Sequence, residues 1–376
     1  MKILVAPNAF KNSLSATEVG KAIKSGLEKS QLDAAIQVVP IADGGDGSLA
    51  ILAQHLGAQV FEAEVAGPVG GSLKAKYAIN EQEKIGIIEL AEASGIRQVR
   101  PADVNPWIAS TLGTGQLIEL VIAAGCQRVI LTVGGSATVD GGMGILRALG
   151  VEFYEEGEIF LPTGPCDFHK IDRIDAKKVQ QKLQGISFEI LTDVENFLVG
   201  EKGAVRIFGP QKGISEDEIE LFEESFEHWV RLLTSFSGKN PDFQKAGASG
   251  GVPAAMKTIF DADVVNGSDF IFDICDLRQK VATVDLIITA EGQIDAQTSY
   301  GKGPGEIAKL ARQHQKKCIG ICGQIGDDYD SADTLFTSIF PINSKLYSLE
   351  TAMSRTPINL KFTAEQIGNL LASKPG

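Results

Sequence analysis

Residues 128–150 read Arg128-Val-Ile-Leu-Thr-Val133, then Gly134-Gly-Ser-Ala-Thr-Val-Asp140-Gly-Gly-Met-Gly144, then Ile145-Leu-Arg-Ala-Leu-Gly150. The first piece is apolar and rich in β-branched residues, which predicts a buried strand. The second has little to bury and many backbone N–H groups. The third predicts a helix. A strand that leaves through a glycine loop into a helix can present N–H groups to an anion. It is also the repeating unit of a parallel α/β fold.

The same alternation recurs on both sides. Lys2–Ala6 predicts a strand, and Ser15-Ala-Thr-Glu18 is a capping box that opens a helix to about Lys29. Ile36–Pro40 and Asp46–Leu56 continue the pattern. From about Gly67 the texture changes, with strands at Ser72–Ile79 and Lys84–Leu90, a helix at Thr111–Ala124 and a strand at Ile186–Leu191. Ser215-Glu-Asp-Glu218 is a second capping box, and Ser249–Phe260 predicts a helix. Beyond 280 the first texture returns, with strands at Val284–Thr289, Lys317–Cys322 and Leu335–Phe340. Gly303–Gln313 predicts a helix, and Thr363-Ala-Glu-Gln366 a cap for a final one. The expected fold is α/β in two domains. Residues 1–66 plus 280–376 form a discontinuous doubly wound domain, Rossmann- or flavodoxin-like, and 67–279 are inserted into it. A split into sequential domains near 150 is the alternative.

The 376 residues carry a net charge of −13, with 44% hydrophobic and 22% charged residues. That balance fits a globular protein and argues against nucleic acid or an anionic membrane as partner. The five cysteines form no Cys-x-x-Cys pair. No stretch approaches the ~18 apolar residues of a membrane span, and the apolar start is too short for a signal peptide. The expected location is the cytoplasm; a homo-oligomer is left open.

Chemistry gathers in the loops. In Pro7-Asn-Ala-Phe-Lys11-Asn-Ser13, Lys11 and Ser13 precede a capped helix, where phosphate is favoured; the competing reading is an ordinary turn with a solvated lysine. Ala42-Asp43-Gly-Gly-Asp46-Gly47 puts two carboxylates on a glycine turn, fit for Mg²⁺ or a substrate hydroxyl, or simply for capping. Asp140 reads first as a cap of the helix that follows. Leu191-Thr-Asp193-Val-Glu-Asn196 brings another carboxylate to a strand end, and Phe208-Gly-Pro-Gln-Lys212-Gly213 places a lysine at the tip of a turn. Thr289-Ala-Glu291-Gly-Gln-Ile-Asp295 continues to Gly301-Lys302-Gly303, longer than the ~2–6 residues of a plain connector.

Absences also count. There is no Gly-x-x-x-x-Gly-Lys-Ser/Thr and no clean Gly-x-Gly-x-x-Gly after the first strand. The histidines His55, His169, His228 and His314 lie outside every glycine loop, so an aspartate is the expected base.

Taken together, the stretches at 6–16, 41–47, 111–115, 134–144, 208–213 and 290–304 resemble the glycerate kinase family of the bacterial glycerate 2-kinase type. They span nearly the whole chain in the family's order. The resemblance implies a two-domain α/β fold with a cleft, and ATP-dependent phosphorylation of D-glycerate with Mg²⁺, to 2-phosphoglycerate in preference to 3-phosphoglycerate. It implies that Lys11, Ser13, Glu291 and Gly134, Gly135, Ser136, Ala137 and Thr138 hold the nucleotide, with Lys302 a second lysine at the transferred phosphoryl. Asp43, Asp193 and Asp295 are candidates for metal and base, Asp193 being preferred as base. Asp43, Asn196 and Lys212 are expected at the substrate. The family usually has Gly, Pro and Gly where this chain has Asn12, Phe197 and Ala290. Two other readings compete: a nicotinamide-dependent 2-hydroxy-acid oxidoreductase, and a non-catalytic organic-anion-binding protein.

Overall fold

In the computed structural model, which describes residues 1–42, 44–299, 303–329 and 334–373, the strands in chain order are β1 (Lys2–Pro7), β2 (Ala35–Val38), β3 (Gln59–Ala66), β4 (Ser72–Asn80), β5 (Ile85–Glu89), β6 (Arg128–Thr132), β7 (Glu152–Glu155), β8 (Glu158–Phe160), β9 (Arg173–Asp175), β10 (Ser187–Leu191), β11 (Asp263–Val265), β12 (Leu286–Ile294), β13 (Lys317–Ile325) and β14 (Ser338–Pro341). The chain divides into two units, Met1–Asp43 with Ser268–Gly376, and Gly44–Gly267.

The first unit is a sheet of five parallel strands in the order β14-β13-β12-β1-β2. Counted within the unit this is the flavodoxin-like order, whose direction reverses between β1 and β12. Ile3, Val5, Ile288 and Ile321 pack with Val19 and Ile23 of the helix Ala16–Lys29 and with Leu360 and Ile367 of the helix Leu349–Ala372. Ser15 and Glu18 make the expected capping box.

The second unit is a six-stranded sheet in the order β11-β10-β6-β5-β4-β3. Strands β5, β6, β10 and β11 are parallel, while β3 and β4 pair antiparallel. Its core joins Val129, Leu131 and Ile190 to Leu117, Val121, Ile145 and Leu146 of the adjacent helices, and to Phe226 and Trp229 of the helix Ile219–Ser237. A short sheet in the order β8-β7-β9 comes from the chain between β6 and β10.

Three expectations change. The division falls at 43/44 and 267/268 rather than at 66/67 and 279/280. The reason is β3, which shows only weak alternation; it pairs with β4 from Gln59↔Ile79 to Ala66↔Ser72, and so 44–66 join the second unit. The final helix starts at Leu349, with Ser348 as its cap, and runs straight through Thr363. The strand expected at 335–340 occupies Ser338–Pro341.

Candidate active site

In the second unit, register brings several chain segments to one edge. Glu89 is opposite Thr132, Thr132 opposite Leu191, and Leu191 opposite Val265. The residues after these strands therefore emerge together at the carboxyl ends, where parallel α/β sheets bind ligands. Val133 N–H donates to Leu191 O at 3.2 Å and Gly134 N–H to Gly44 O at 3.0 Å. A Cβ at Gly134 would collide with the Gly45 backbone, and Gly135 has φ +72°, so both glycines are required by the turn. The loop also bridges to Gly95: Ile96 N–H donates to Gly135 O and Ala137 N–H to Ser94 O, both at 2.9 Å. Two of the five amides from 134 to 138 are thus spent on the protein. The N–H groups of Gly135, Ser136 and Thr138 meet no acceptor among the described residues.

Beneath the loop lies Asp140, fully buried. Its carboxylate accepts from Thr111 N–H (2.7 Å), Thr111 Oγ1–H (2.8 Å), Gly142 N–H (3.2 Å) and Gly144 N–H (3.1 Å). One side chain therefore satisfies the starts of the helices Leu112–Ala123 and Met143–Leu149. Burial raises its carboxyl above the ordinary value, against the pull of these four donors. Sequence reasoning found the cap; it missed that Thr111, 29 residues away, shares it.

Lys212, expected at the tip of a turn, is only 4% exposed. Its Nζ donates to Ser136 Oγ at 2.7 Å and to Thr138 O at 2.8 Å, tying down both sides of the loop. Burial pushes the ammonium down to about 7, while the Asp140 carboxylate pulls it up. Between about 7 and the ordinary 10.5 the unfolded chain binds the proton and the folded chain does not, so stability rises with pH across this window and is flat below it. Relative to Lys212→Met, the native protein is expected to gain stability in urea unfolding between about pH 7.5 and about pH 9.5. A difference independent of pH would refute the buried titration.

Asp193 stands two residues past β10, half-buried. Its neighbour is clamped: Thr192 N–H donates to Val265 O (3.1 Å), Gly267 N–H to Thr192 O (3.4 Å) and Val194 N–H to Thr192 Oγ1 (3.1 Å). Asn196 uses its side-chain amide on Lys202 O at 2.9 Å and its carbonyl on Gly247 N–H at 3.0 Å, closing its own loop. Phe197 is 45% exposed beside it.

A cluster that sequence reasoning passed over sits at the end of β5. Glu89, 2% exposed, accepts from Gly47 N–H at 3.0 Å and Leu49 N–H at 3.1 Å, at the start of the helix Ser48–His55. Arg97 pairs with it at 3.2 Å, with Asp46 at 3.0 Å, and with Glu92. Burial lifts Glu89 to about 7. The signal available was an acid ending a strand three residues before another, Glu89-Leu-Ala-Glu92, and it is indistinguishable from an ordinary strand end without Arg97.

In the first unit, the loops after β1 and β12 flank the point where strand order reverses, with Pro7 opposite Ala290 and Asn8 N–H donating to Ala290 O at 2.8 Å. Lys11 is exposed at the tip of the first loop, and Ser13 donates to Met353 O at 2.8 Å. Glu291 is buried and accepts from Thr298 Oγ1–H at 2.7 Å. Asp295, half-buried, accepts from Gln293 Nε2–H at 3.0 Å. The expected Asp43 and Lys302 lie outside the described residues. The candidates thus form two groups, Lys11, Ser13, Glu291 and Asp295 in one unit, and 134–138, Asp193, Asn196 and Lys212 in the other. No helix among the described residues is long and apolar enough to cross a membrane.

This geometry can be set beside known proteins. The chain is 35% identical over 376 residues to a glycerate kinase of Haemophilus influenzae, covering all of both chains. It is 36% identical over 330 residues to a glycerate 2-kinase of Escherichia coli K12, covering 87% of this chain and 86% of the relative. A crystal structure from Salmonella typhimurium LT2, described as a candidate glycerate kinase 2, superposes with a TM-score of 0.83 at 33% identity, covering 99% of this chain and 98% of that one. The family model described as the glycerate kinase family matches residues 3–372. A mixed α/β fold built on parallel sheets and a match along nearly its whole length carry one conclusion: the chain is a kinase and belongs to the glycerate kinase family.

Proposed function

We propose that the chain transfers the γ-phosphoryl of ATP to D-glycerate in the cytoplasm, and that the product is 2-phosphoglycerate. The observation that carries this reading is the loop after β6, whose Gly135, Ser136 and Thr138 amides have no acceptor among the described residues, with a buried lysine beneath it and an aspartate on the neighbouring strand end. Unspent amides on a rigid loop suit phosphate oxygens. The choice of the 2-position rests on the likeness to the Escherichia coli relative named glycerate 2-kinase.

Phosphoryl transfer is mostly positioning and charge stabilisation. The three amides hold phosphate oxygens, and Lys212 keeps the loop in shape from below. Lys11 supplies a positive charge for phosphate oxygens, with Lys302 as a second, and Glu291 and Ser13 support that side. Asp193 accepts the proton of the attacking hydroxyl. Asn196 shapes the substrate side.

Among the described residues, no three His, Cys, Asp or Glu side chains gather as a metal cage. Mg²⁺ is commonly held by one or two carboxylates plus substrate phosphates and water, and needs no such cage. Asp43 and Asp295 would hold it, with Asp193 as the alternative ligand if it is not the base, and when bound the ion would supply neutralisation of the phosphate charge.

Phosphorus NMR of the product formed from ATP, Mg²⁺ and D-glycerate tests the reading. A 2-phosphoglycerate signal is expected. A 3-phosphoglycerate signal would overturn the regiochemistry, and no phosphoglycerate would overturn the reaction.

A further inference from the structure

The helix Leu349–Ala372 carries Pro357 in its interior. A proline there has no N–H for the carbonyl four residues back, and its ring pushes that carbonyl aside. The carbonyl left over is that of Met353. It has a donor from the other end of the chain: Ser13 Oγ–H, at 2.8 Å and 340 residues away in sequence.

Ser13 belongs to a small closed turn. Phe10 N–H donates to Leu14 O at 2.9 Å, and Ser13 N–H and Leu14 N–H both donate to Phe10 O, at 2.9 and 3.0 Å. Phe10 is buried in the core of the first unit, which fixes one side of the turn. Lys11 and Asn12 form the tip, Asn12 with φ 61°. Opposite the tip, a Cβ on Gly292 would meet Lys11 N and Phe10 Cα at 3.8 Å, ordinary van der Waals contact, so the glycine leaves room for a methyl group beside the turn on its β12 side. The Ser13 side of the turn is tied to Phe10 O by its backbone, and its hydroxyl adds a second anchor outside the turn.

We propose that Ser13 is a positioning residue for Lys11: its hydroxyl stands in for the amide that Pro357 lacks, and so latches the Lys11 turn to the C-terminal helix. Pro357 is then part of the latch. It lies exposed on the helix, so its ring contributes little packing. What it contributes is a carbonyl kept free for Ser13. The inference rests on the reading of Lys11 as a phosphate-binding residue.

The latch makes opposite demands on stability and function. Pro357→Ala restores a backbone N–H at 357, which competes for Met353 O and mends the helix. Ser13→Ala removes the donor and leaves the carbonyl unpaired. The two variants are therefore expected to move the melting temperature in opposite directions, up for Pro357→Ala and down for Ser13→Ala. Both are expected to raise the KM for ATP about fivefold, the worth of one neutral hydrogen bond, with kcat changed less. In hydrogen exchange, the amides of Ser13 and Leu14 should lose protection in both variants. The double variant should be no worse in KM than either single one, because the same bond is lost only once.

Native protection at Ser13 and Leu14 in either variant would overturn the latch. So would additive KM effects. Lost protection with an unchanged KM would overturn the positioning of Lys11. Exchange is read without turnover, so a failure of the wild type to phosphorylate D-glycerate would count against the proposed reaction and leave the latch to be decided by exchange.

Discussion

Asp193→Asn is expected to lower kcat by roughly 10²- to 10⁴-fold, the usual worth of a general base, while the KM for ATP stays close to the native value. The substitution keeps the shape of the side chain and removes its basicity. The backbone around it is held by Thr192, whose N–H and carbonyl both bond to the β11 end and the residues after it, and whose hydroxyl receives Val194 N–H. Misplacement of residue 193 is therefore a poor explanation for any loss. Steady-state kinetics with each substrate varied in turn check the result. An effect confined to KM would mean that Asp193 contributes binding that is equal in ground and transition states. A full-rate variant would remove it from the mechanism.

The largest structural loss is expected from Asp140→Ala, about 3–5 kcal/mol. The alanine would strand the N–H groups of Thr111, Gly142 and Gly144 and the Thr111 hydroxyl in a buried place. It would also strip Lys212 of the carboxylate that favours its charge. Two helices would lose their starting contacts together, and so would the underside of the 134–138 loop. The urea midpoint measures this, and Asp140→Asn, which keeps an acceptor, is expected to cost less. A native midpoint in Asp140→Ala would show that water or local shifts satisfy the four donors.

Much of the fold could be read from local pattern. The Ser15 and Ser215 capping boxes form as written, and the helix at Gly303–Gln313 and the strands at 72–80 and 128–132 fall within a residue or two of expectation. Each is encoded within a few neighbouring residues. The helix start at Leu349 and the strand at Gln59–Ala66 were not legible in the same way. The first is obscured by Pro357, inside a helix whose Met353 carbonyl accepts from Ser13 Oγ–H, and the second alternates weakly and is held by its pairing to β4.

The site divides along the same line. Sequence alone determined that a glycine loop leaves β6 for a helix, that Asp140 caps that helix, and that aspartates and lysines crowd the loops after strands. Loop composition and caps act over three or four residues, so they are visible in one dimension. Tertiary structure alone decided which groups remain available. It spent Gly134 and Ala137 N–H on Gly44 and Ser94, buried Lys212 under Ser136 and Thr138, gathered Arg97 with Asp46 and Glu89, and gave Ser13 to Met353. Those outcomes depend on sheet register and on partners up to 340 residues away, because a buried polar group takes whichever donor or acceptor packing brings to it.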